Sequence, residues 1–268
     1  MSQSMHARLV DTHCHLDPQY LPDGAVGVID RARAAGVGGF VTIGVGKDAR
    51  AAHDAVSLAA SMPDLVAATV GVHPHDANGC DDALFADISA LATRVEVVAV
   101  GEIGLDYHYE HSPREQQRAV FARFIELAKS LAKPIVVHTR EAAEDTLDVL
   151  AACGARDVGG IIHCFSEDRA FAARALDLGF DLSFSGIVTF KSAKSVHEVA
   201  AWAPADRILV ETDSPYLSPV PLRGKPCEPA YLQYTARRLA ELRNMALEDL
   251  VECTTANAER RFRRIFRA

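Results

Sequence analysis

The sequence predicts an α/β protein built as a single (β/α)8 TIM barrel with a C-terminal helical extension. Eight short apolar runs alternate along the chain with segments rich in Ala, Leu and charged residues at helical spacing. Several of these runs are continuously apolar, as parallel strands are when both of their faces are covered. The length of 268 residues is also typical of an α/β barrel. An open, doubly wound sheet is the alternative that the same alternation allows.

The strands are assigned to the apolar runs in chain order. Runs such as RLVDTH, KPIVVHT and RILVETD are short and rich in residues that favour strands. The eight runs occupy residues 8–13, 38–45, 65–73, 95–103, 133–139, 159–165, 180–188 and 207–213.

A helical segment lies between each pair of successive strands, and two more follow the eighth. Gly36 and Gly179 stand where two of these helices would end, because glycine accepts the left-handed conformation found there. Ser112 and Pro113, followed by Glu115, predict a capped helix start with proline in the first turn. No Gly/Ser-rich or Pro-rich linker divides the chain, so residues 1–268 are expected to form one domain. The helical segments are 26–36, 49–62, 81–94, 112–132, 141–154, 168–179, 192–203, 228–244 and 246–262.

The composition is that of a globular protein and gives no overall electrostatic reason to expect nucleic-acid binding. The chain is 49% hydrophobic and 24% charged, and its formal net charge is −8. A local basic patch or a bound metal ion can still hold a phosphate on an acidic protein. A nucleic-acid function must therefore be argued from the site itself.

Cysteine usage and the absence of long apolar runs predict a cytoplasmic protein that does not associate with a membrane. The cysteines are irregularly spaced and form no Cys-x-x-Cys pair, so we expect free thiols in a reducing compartment. The first residues, MSQSMHARLVD, contain no apolar leader, and no run approaches the length that spans a bilayer. The six cysteines are Cys14, Cys80, Cys153, Cys164, Cys227 and Cys253.

Histidines and carboxylates recur at the ends of the predicted strands. In a (β/α)8 barrel the chemistry takes place at the carboxyl ends of the strands, where the βα loops meet. Those ends carry His13 and His15 (strand one), His73 and His75 (three), Glu102 and Asp106 (four), His138 and Arg140 (five), His163 (six) and Asp213 (eight).

A shared metal site explains this set better than separate structural roles do. One histidine at a strand end is more often a hydrogen-bonded structural residue than a ligand. Several such groups on one rim would each need a partner when buried, and divalent cations satisfy them together. Six candidates exceed the three protein ligands of a single catalytic zinc, so we expect two ions. The sequence assigns His13, His15, Glu102 and Asp213 to one ion and Glu102, His138 and His163 to the other.

Three carboxylates receive different expected roles in this site. Glu102 has two oxygens and lies on a middle strand, so it is expected to bridge the ions. Asp213 is expected both to bind a metal and to accept the proton of the attacking water. Glu211 shares the strand face of Asp213 and is expected to support the ligands or the fold. The two cations are expected to be Mg²⁺, Mn²⁺ or Zn²⁺, which ligand chemistry alone does not distinguish.

Substrate contacts are expected from residues around the ligands. His73 lies between a strand end and Pro74, so contact with substrate and a capping role at the rim are both open; His75 is expected to be a turn residue. Arg140, two positions after His138, is a candidate phosphate contact because a guanidinium binds phosphate with a planar fork. Arg223 and Lys225 lie in a glycine-containing loop beyond Asp213 and are candidate contacts to a nucleic-acid backbone.

Several motifs together resemble one family. DTHCHLD, GVHPH, GEIGLDY, IVVHTREA, HCFS, SFSGIVTF, ETDSPYLSPVPLRGKPCEPAYL and TTANAERRF occur in this order between residues 9 and 266. They resemble the TatD family of metal-dependent deoxyribonucleases, part of the amidohydrolase-like metallohydrolases. The resemblance implies a barrel, a two-metal site and hydrolysis of DNA phosphodiesters, often from the 3′ end. It supports the six ligands named above and adds His73 as a catalytic or substrate contact.

Two departures from the family pattern leave the substrate open. Ser166 stands where the family commonly has glycine after HCF, and Cys227 stands where asparagine is usual in the basic loop. The expected partner is DNA, as a single strand or a 3′ end, and the expected form is a monomer. A hydrolase of small amides, esters or lactones is the alternative with the same metals. A binding protein without activity is a further alternative, although all six ligand positions are filled.

Overall fold

The computed structural model describes residues 8–21 and 24–267, and within them eight parallel strands form one sheet. Each strand pairs with the next in chain order, and a parallel bridge between Cys14 and Ser214 joins the eighth unit to the first. The predicted (β/α)8 barrel is confirmed, and the open doubly wound sheet is excluded by this sequential order. The strands are β1 Leu9–Cys14, β2 Val37–Gly44, β3 Val66–Val70, β4 Val97–Asp106, β5 Ile135–Arg140, β6 Gly160–Ile162, β7 Phe180–Phe184 and β8 Ile208–Val210.

The helices surround this barrel, and the last of them is the predicted C-terminal extension. Asp81 and Asp168 begin α3 and α6 by accepting hydrogen bonds from the backbone N–H groups of Leu84 and Phe171. The helices are α1 Ala25–Ala34, α2 Arg50–Ser61, α3 Asp82–Ala92, α4 Arg114–Ser130, α5 Ala143–Ala152, α6 Arg169–Asp177, α7 Lys194–Trp202, α8 Leu232–Arg243 and α9 Leu247–Phe262.

Ser112 does not cap α4, so that part of the sequence prediction is wrong. Its hydroxyl donates a hydrogen bond to the His75 carbonyl and accepts one from the backbone N–H of Asn78. The buried side chain therefore joins the start of α4 to the short helical turn after β3. Its sequence position resembles a cap, but tertiary contacts use the hydroxyl elsewhere.

Strands β6 and β8 are shorter than the sequence predicts. Regular pairing stops at Ile162 and Val210, although the apolar runs continue to residues 165 and 213. The chain after β8 still bonds irregularly, because the N–H of Glu211 donates to the Phe184 carbonyl and that of Asp213 to the His13 carbonyl. This irregular backbone turns the polar residues toward the barrel axis.

Two apolar layers hold the barrel together. On β5, Ile135 and Val137 pack against the outer helices, whereas Val136 faces the barrel interior. By the same alternation His138 faces the axis. The inner layer consists of Val10, Val41, Ile43, Ala67, Val98, Ala99, Val136, Ile161, Leu209, Ala258 and Phe262.

The amino end of the barrel is closed by the C-terminal extension and by one buried carboxylate. Asp181, near the start of β7, has no exposed surface. One of its oxygens lies 2.6 Å from Nε of Arg207, and the other lies 2.7 Å from Nε of Arg261 and 3.4 Å from Nη2 of Arg260. This carboxylate therefore links β7 to the start of β8 and to the end of α9.

The composition predicted free thiols and no membrane-spanning segment, and the structure bears on both points. All six cysteines are free thiols in the structure. Among residues 8–21 and 24–267, no helix combines the length and the apolar character that a bilayer crossing requires.

Candidate metal centre

Seven polar side chains from six strands converge at the carboxyl end of the barrel. His13 and Glu102 are buried within β1 and β4, and His138 lies near the end of β5. The others follow strand ends, where the chain leaves regular pairing. The full set is His13, His15, His73, Glu102, His138, His163 and Asp213.

The two oxygens of Glu102 face two different groups of ligands. Its Oε2 lies 3.5 Å from Nε2 of His13, and Oδ1 of Asp213 lies 3.6 Å from that same nitrogen. Oδ1 of Asp213 also lies 3.7 Å from Nε2 of His15. These separations match the roughly 3.3 Å between ligand atoms around a four-coordinate ion with bonds of about 2.0 Å. The first predicted ligand set therefore lies together in the structure.

The second predicted set lies around the other oxygen of Glu102. Its Oε1 is 2.8 Å from Nε2 of His163 and 2.9 Å from Nδ1 of His138. The two imidazole nitrogens are 3.4 Å apart. A carboxylate that faces one ligand group with each oxygen has the arrangement that a bridging role requires.

The far nitrogens of His163 and His138 each contact a second carboxylate. Nδ1 of His163 lies 3.1 Å from Oε1 of Glu211, which also accepts the backbone N–H of Cys164 at 2.7 Å. Nε2 of His138 lies 3.2 Å from Oδ2 of Asp106. Because Glu211 and Asp106 hold a proton on the far nitrogens, the nitrogens that face Oε1 of Glu102 are the ones that would bind a metal ion. Both rings therefore direct a candidate ligand nitrogen to the same point.

His73 is oriented differently, with its protonated nitrogen facing the cluster. Its Nδ1 accepts a hydrogen bond from the backbone N–H of His75 at 3.2 Å, so in the neutral ring the proton is on Nε2. Burial holds the pKa of His73 well below its usual range, so the ring is neutral near pH 7. Its Nε2 lies 3.6 Å from Oε1 of Glu102, within reach of the same cluster. The position would suit a ligand, but the tautomer makes His73 a hydrogen-bond donor.

His13 provides the clearest sign that a cation completes the cluster. The residue has no exposed surface, and within residues 8–21 and 24–267 neither of its ring nitrogens has a hydrogen-bond partner. Burial lowers the pKa of His13, and the ring of His163, stacked at 3.9 Å, acts in the same direction. A neutral, buried imidazole without a hydrogen-bond partner is costly unless a metal ion binds its lone pair.

The carboxylates of the cluster are held in their ionised form. Burial alone would raise the pKa of Glu102, but the surrounding imidazoles, His163 first, hold it well below its usual range. Conversely, the carboxylates of Glu102 and Glu211 outweigh burial and raise the pKa of His163. The proton on His163 thus occupies the position of a cation, and metal binding at this point would release it.

Local backbone geometry brings the ligands close together. Asp213 has a φ of 56°, a left-handed conformation that is uncommon outside glycine and recurs at functional sites. Gly104 has a φ of 145°, and a Cβ atom there would lie 2.0 Å from the carbonyl oxygen of His138. A side chain at position 104 would therefore push β4 away from β5 beside Glu102 and His138.

Among the predicted phosphate contacts, the two arginines each lie over an aromatic ring. The guanidinium carbon of Arg140 lies 4.7 Å from the ring centre of Tyr109, and that of Arg223 lies 4.1 Å from the ring centre of Phe190. Arg223 also donates a hydrogen bond to the Ser218 carbonyl. Both arginines and Lys225 are exposed at the rim. These residues therefore lie at or beyond the carboxyl ends of β5 and β8, on the same end of the barrel as the cluster.

Sequence reasoning missed one supporting residue and left another undecided. Asp106 was visible at the end of β4, but its contacts with His138 and with His75, at 2.9 Å, depend on a different strand and loop. Glu211 was placed on the face of Asp213, whereas its contacts are with His163 and Cys164. His75 does lie in a turn, and it also extends the network of Asp106. The alternation within one strand could not reveal these partners.

Comparison with known proteins gives one family over nearly the whole chain. The family model described as TatD related DNase matches residues 10–263. A relative from Bacillus subtilis, named an uncharacterized metal-dependent hydrolase, is 42% identical over 95% of this chain and 99% of its own. A relative from Pectobacterium atrosepticum, named a 3′-5′ ssDNA/RNA exonuclease, is 34% identical over 88% of this chain and 92% of its own.

A solved structure agrees with both the sequence relationship and the barrel. The crystal structure of a TatD homologue from Escherichia coli superposes with a TM-score of 0.89 at 27% identity. It covers 97% of this chain and 100% of the other. The likeness therefore extends over nearly the whole barrel.

Proposed function

The chain belongs to the TatD-related DNase family of metal-dependent hydrolases, and we propose that it hydrolyses DNA phosphodiester bonds as a 3′-5′ exonuclease. One observation carries the proposal. Three candidate ligand atoms, from Glu102, His138 and His163, lie within 3.4 Å of one another, beside a buried His13 whose ring nitrogens have no hydrogen-bond partner among the described residues. Ligand atoms at such distances need positive charge between them, which divalent cations supply when they displace the proton of His163.

The residues present fit a pair of divalent ions. His13, His15, Glu102 and Asp213 would hold one ion, and Glu102, His138 and His163 would hold the other. Two bound divalent cations lower the pKa of a water molecule and neutralise charge on the leaving oxygen of a phosphodiester. Imidazole and carboxylate ligands are compatible with Zn²⁺, Mn²⁺ or Mg²⁺.

The protein residues then orient substrate and move protons. The imidazoles of His13, His15 and His163 hold the pKa of Asp213 below its usual value, although burial opposes them. Its carboxylate is therefore ready to accept the proton of the attacking water. The Nε2–H of His73 points at the cluster and would donate to a phosphate oxygen. Asp106 and Glu211 keep the ligand rings in the required tautomer.

A polyanionic substrate is supported by the cations at the rim. Three exposed cations lie at the same end of the barrel as the cluster, namely Arg140, Arg223 and Lys225. The cluster itself contains the carboxylates of Glu102 and Asp213. These cations lie beyond hydrogen-bond distance of the metal ligands, so they are available to flanking phosphates. The relative from Pectobacterium atrosepticum carries a nuclease name, in agreement with this substrate class.

The test uses single-stranded DNA labelled at its 5′ end with Mg²⁺, Mn²⁺ or Zn²⁺. Wild-type protein is expected to give a ladder of products shortened from the 3′ end, whereas Asp213→Asn gives none. Trp202→Ala, on the outer helix α7, is a matched control and should give the wild-type ladder. Uncut DNA with every metal, from protein shown to contain metal, would reject the proposal in favour of a hydrolase of small amides, esters or lactones.

A further inference from the structure

Two tyrosines near the ligand cluster are about half exposed. Tyr109 is 52% exposed and Tyr216 is 48% exposed, whereas the neighbouring Tyr107 is buried and donates its hydroxyl to Asp145. Tyr107 therefore has a structural explanation that the two exposed rings lack. Aromatic rings that are held at a site and remain half exposed are suited to binding a planar ligand.

Tyr216 forms the first aromatic wall together with Tyr20. Their hydroxyl oxygens are 2.7 Å apart, and their ring centres lie 5.9 Å and 5.5 Å from that of His15. The backbone N–H of Tyr216 donates to the carbonyl of Asp213, which fixes the ring relative to a predicted metal ligand. The wall consists of the loops that follow β1 and β8.

Tyr109 forms the second wall together with His111 and Arg140. The Tyr109 and His111 rings are nearly parallel, with centres 5.5 Å apart, and the Arg140 guanidinium lies over Tyr109. The backbone N–H of Tyr109 donates to Oδ1 of Asp106, whose Oδ2 faces His138. The second wall therefore shares one carboxylate with the metal ligands, and it lies on the loops after β4 and β5.

The strand order places the two walls on opposite sides of the cluster. In an eight-stranded barrel of sequential order, the β8–β1 pair lies across the axis from the β4–β5 pair. The ligands between the walls include His13 and Asp213 on one side and Glu102 and His138 on the other. A chain that crosses the rim along this diameter passes over the ligands and reaches both walls.

We propose that these walls bind unpaired nucleobases on either side of the phosphodiester that is cut, a role that rests on the proposed nuclease function. Bases stack on aromatic rings and on guanidinium planes with little sequence preference, and only unpaired bases have free faces. Arg140 adds donors for the intervening phosphate. The subsites therefore favour DNA whose bases are unpaired.

The experiment compares a short single-stranded oligothymidylate with the same oligomer made entirely of abasic nucleotides. Wild-type protein should cut the base-bearing oligomer with the higher kcat/KM. Tyr109→Ala and Tyr216→Ala should each lower that kcat/KM between about 5-fold and 150-fold, the effect of losing one base–aromatic stack. Each variant should lower kcat/KM for the abasic oligomer less, so the preference for bases should shrink.

Matched variants exclude a general structural effect. Tyr109→Phe and Tyr216→Phe keep the rings and should keep the preference for bases. Trp202→Ala removes a partly exposed ring that carries Arg169 at 4.6 Å on the outer helix α7, and it should change neither rate.

The outcomes separate this inference from the function on which it rests. Three results would overturn the base subsites and leave the nuclease function intact. In the alanine variants, kcat/KM could fall equally for both oligomers or fall for neither. Alternatively, wild-type protein could cut both oligomers with equal kcat/KM. Cutting of neither oligomer by metal-loaded wild-type protein would overturn the nuclease and the subsites together.

Discussion

The two ends of the barrel differ in whether their buried polar groups have partners within the chain. At the amino end, both oxygens of Asp181 lie 2.6–2.7 Å from an arginine nitrogen, those of Arg207 and Arg261. At the carboxyl end, both nitrogens of His13 lack a hydrogen-bond partner within the described part of the chain, and Oε1 of Glu102 faces two imidazole nitrogens that are 3.4 Å apart. The first network is complete within the chain, and the second requires a cation to complete it.

This difference in partners distinguishes a network that stabilises the fold from one that binds a ligand. Buried charges are common to both ends, so burial alone does not identify a site. Satisfied charges stabilise the fold, and breaking them leaves an uncompensated charge. Unsatisfied ligands at a strand rim indicate binding, because their partner comes from outside the chain. Mutations at the two ends should therefore separate stability from activity.

Glu102→Gln should have the largest effect, and it should act on activity. The substitution removes the charge that faces both ligand groups, so kcat/KM on single-stranded DNA should fall about 1,000-fold or more. Circular dichroism should show a folded protein. A variant that retains activity would show that Glu102 does not bridge two ions.

Asp181→Ala should produce the converse result at the amino end. It leaves Arg207 and Arg261 without their shared carboxylate, and the free energy of unfolding should fall by about 3–5 kcal/mol in urea titrations. The kcat/KM of the protein that remains folded should be unchanged. Asp48→Ala, which breaks an exposed contact with Arg50, is the matched control and should leave the unfolding midpoint unchanged.

Metal binding should raise the melting temperature only through the carboxyl end. A divalent ion at about 100 times its Kd should raise the Tm of the chelator-treated wild-type protein by about 5–10 °C. The same increment should appear in Asp181→Ala, from a lower starting Tm, and should shrink in Glu102→Gln. Equal increments in all three proteins would indicate that the ion binds elsewhere.

Substitution of the carboxylates that contact the ligand rings, Glu211 and Asp106, should have the smallest effect of the substitutions considered. Glu211→Gln and Asp106→Asn keep the size of the side chain but weaken the hold on the rings of His163 and His138. Metal affinity in calorimetric titrations should fall about 10- to 100-fold for each. His53→Ala, which breaks an exposed contact with Asp87 on the outer surface, should leave it unchanged.

The positions of the candidate ligands could be predicted from the sequence because they follow local rules. Strand periodicity places His13 and His15 at one strand end, and the barrel brings six strand ends to one rim. The sequence could not show which nitrogen of each ring faces the centre. That property depends on Asp106 for His138, on Glu211 for His163 and on the backbone of His75 for His73.

The sequence by itself determined the number and order of the strands, the C-terminal extension and the candidate metal ligands, because apolar period and strand-end position are local properties. The tertiary structure alone decided that Ser112 supports a loop, that Asp181 joins arginines 26 and 80 positions away, and that tyrosines from separate loops flank the cluster. These contacts join residues that are distant along the chain. No local pattern encodes such pairs, since packing of the closed barrel selects them.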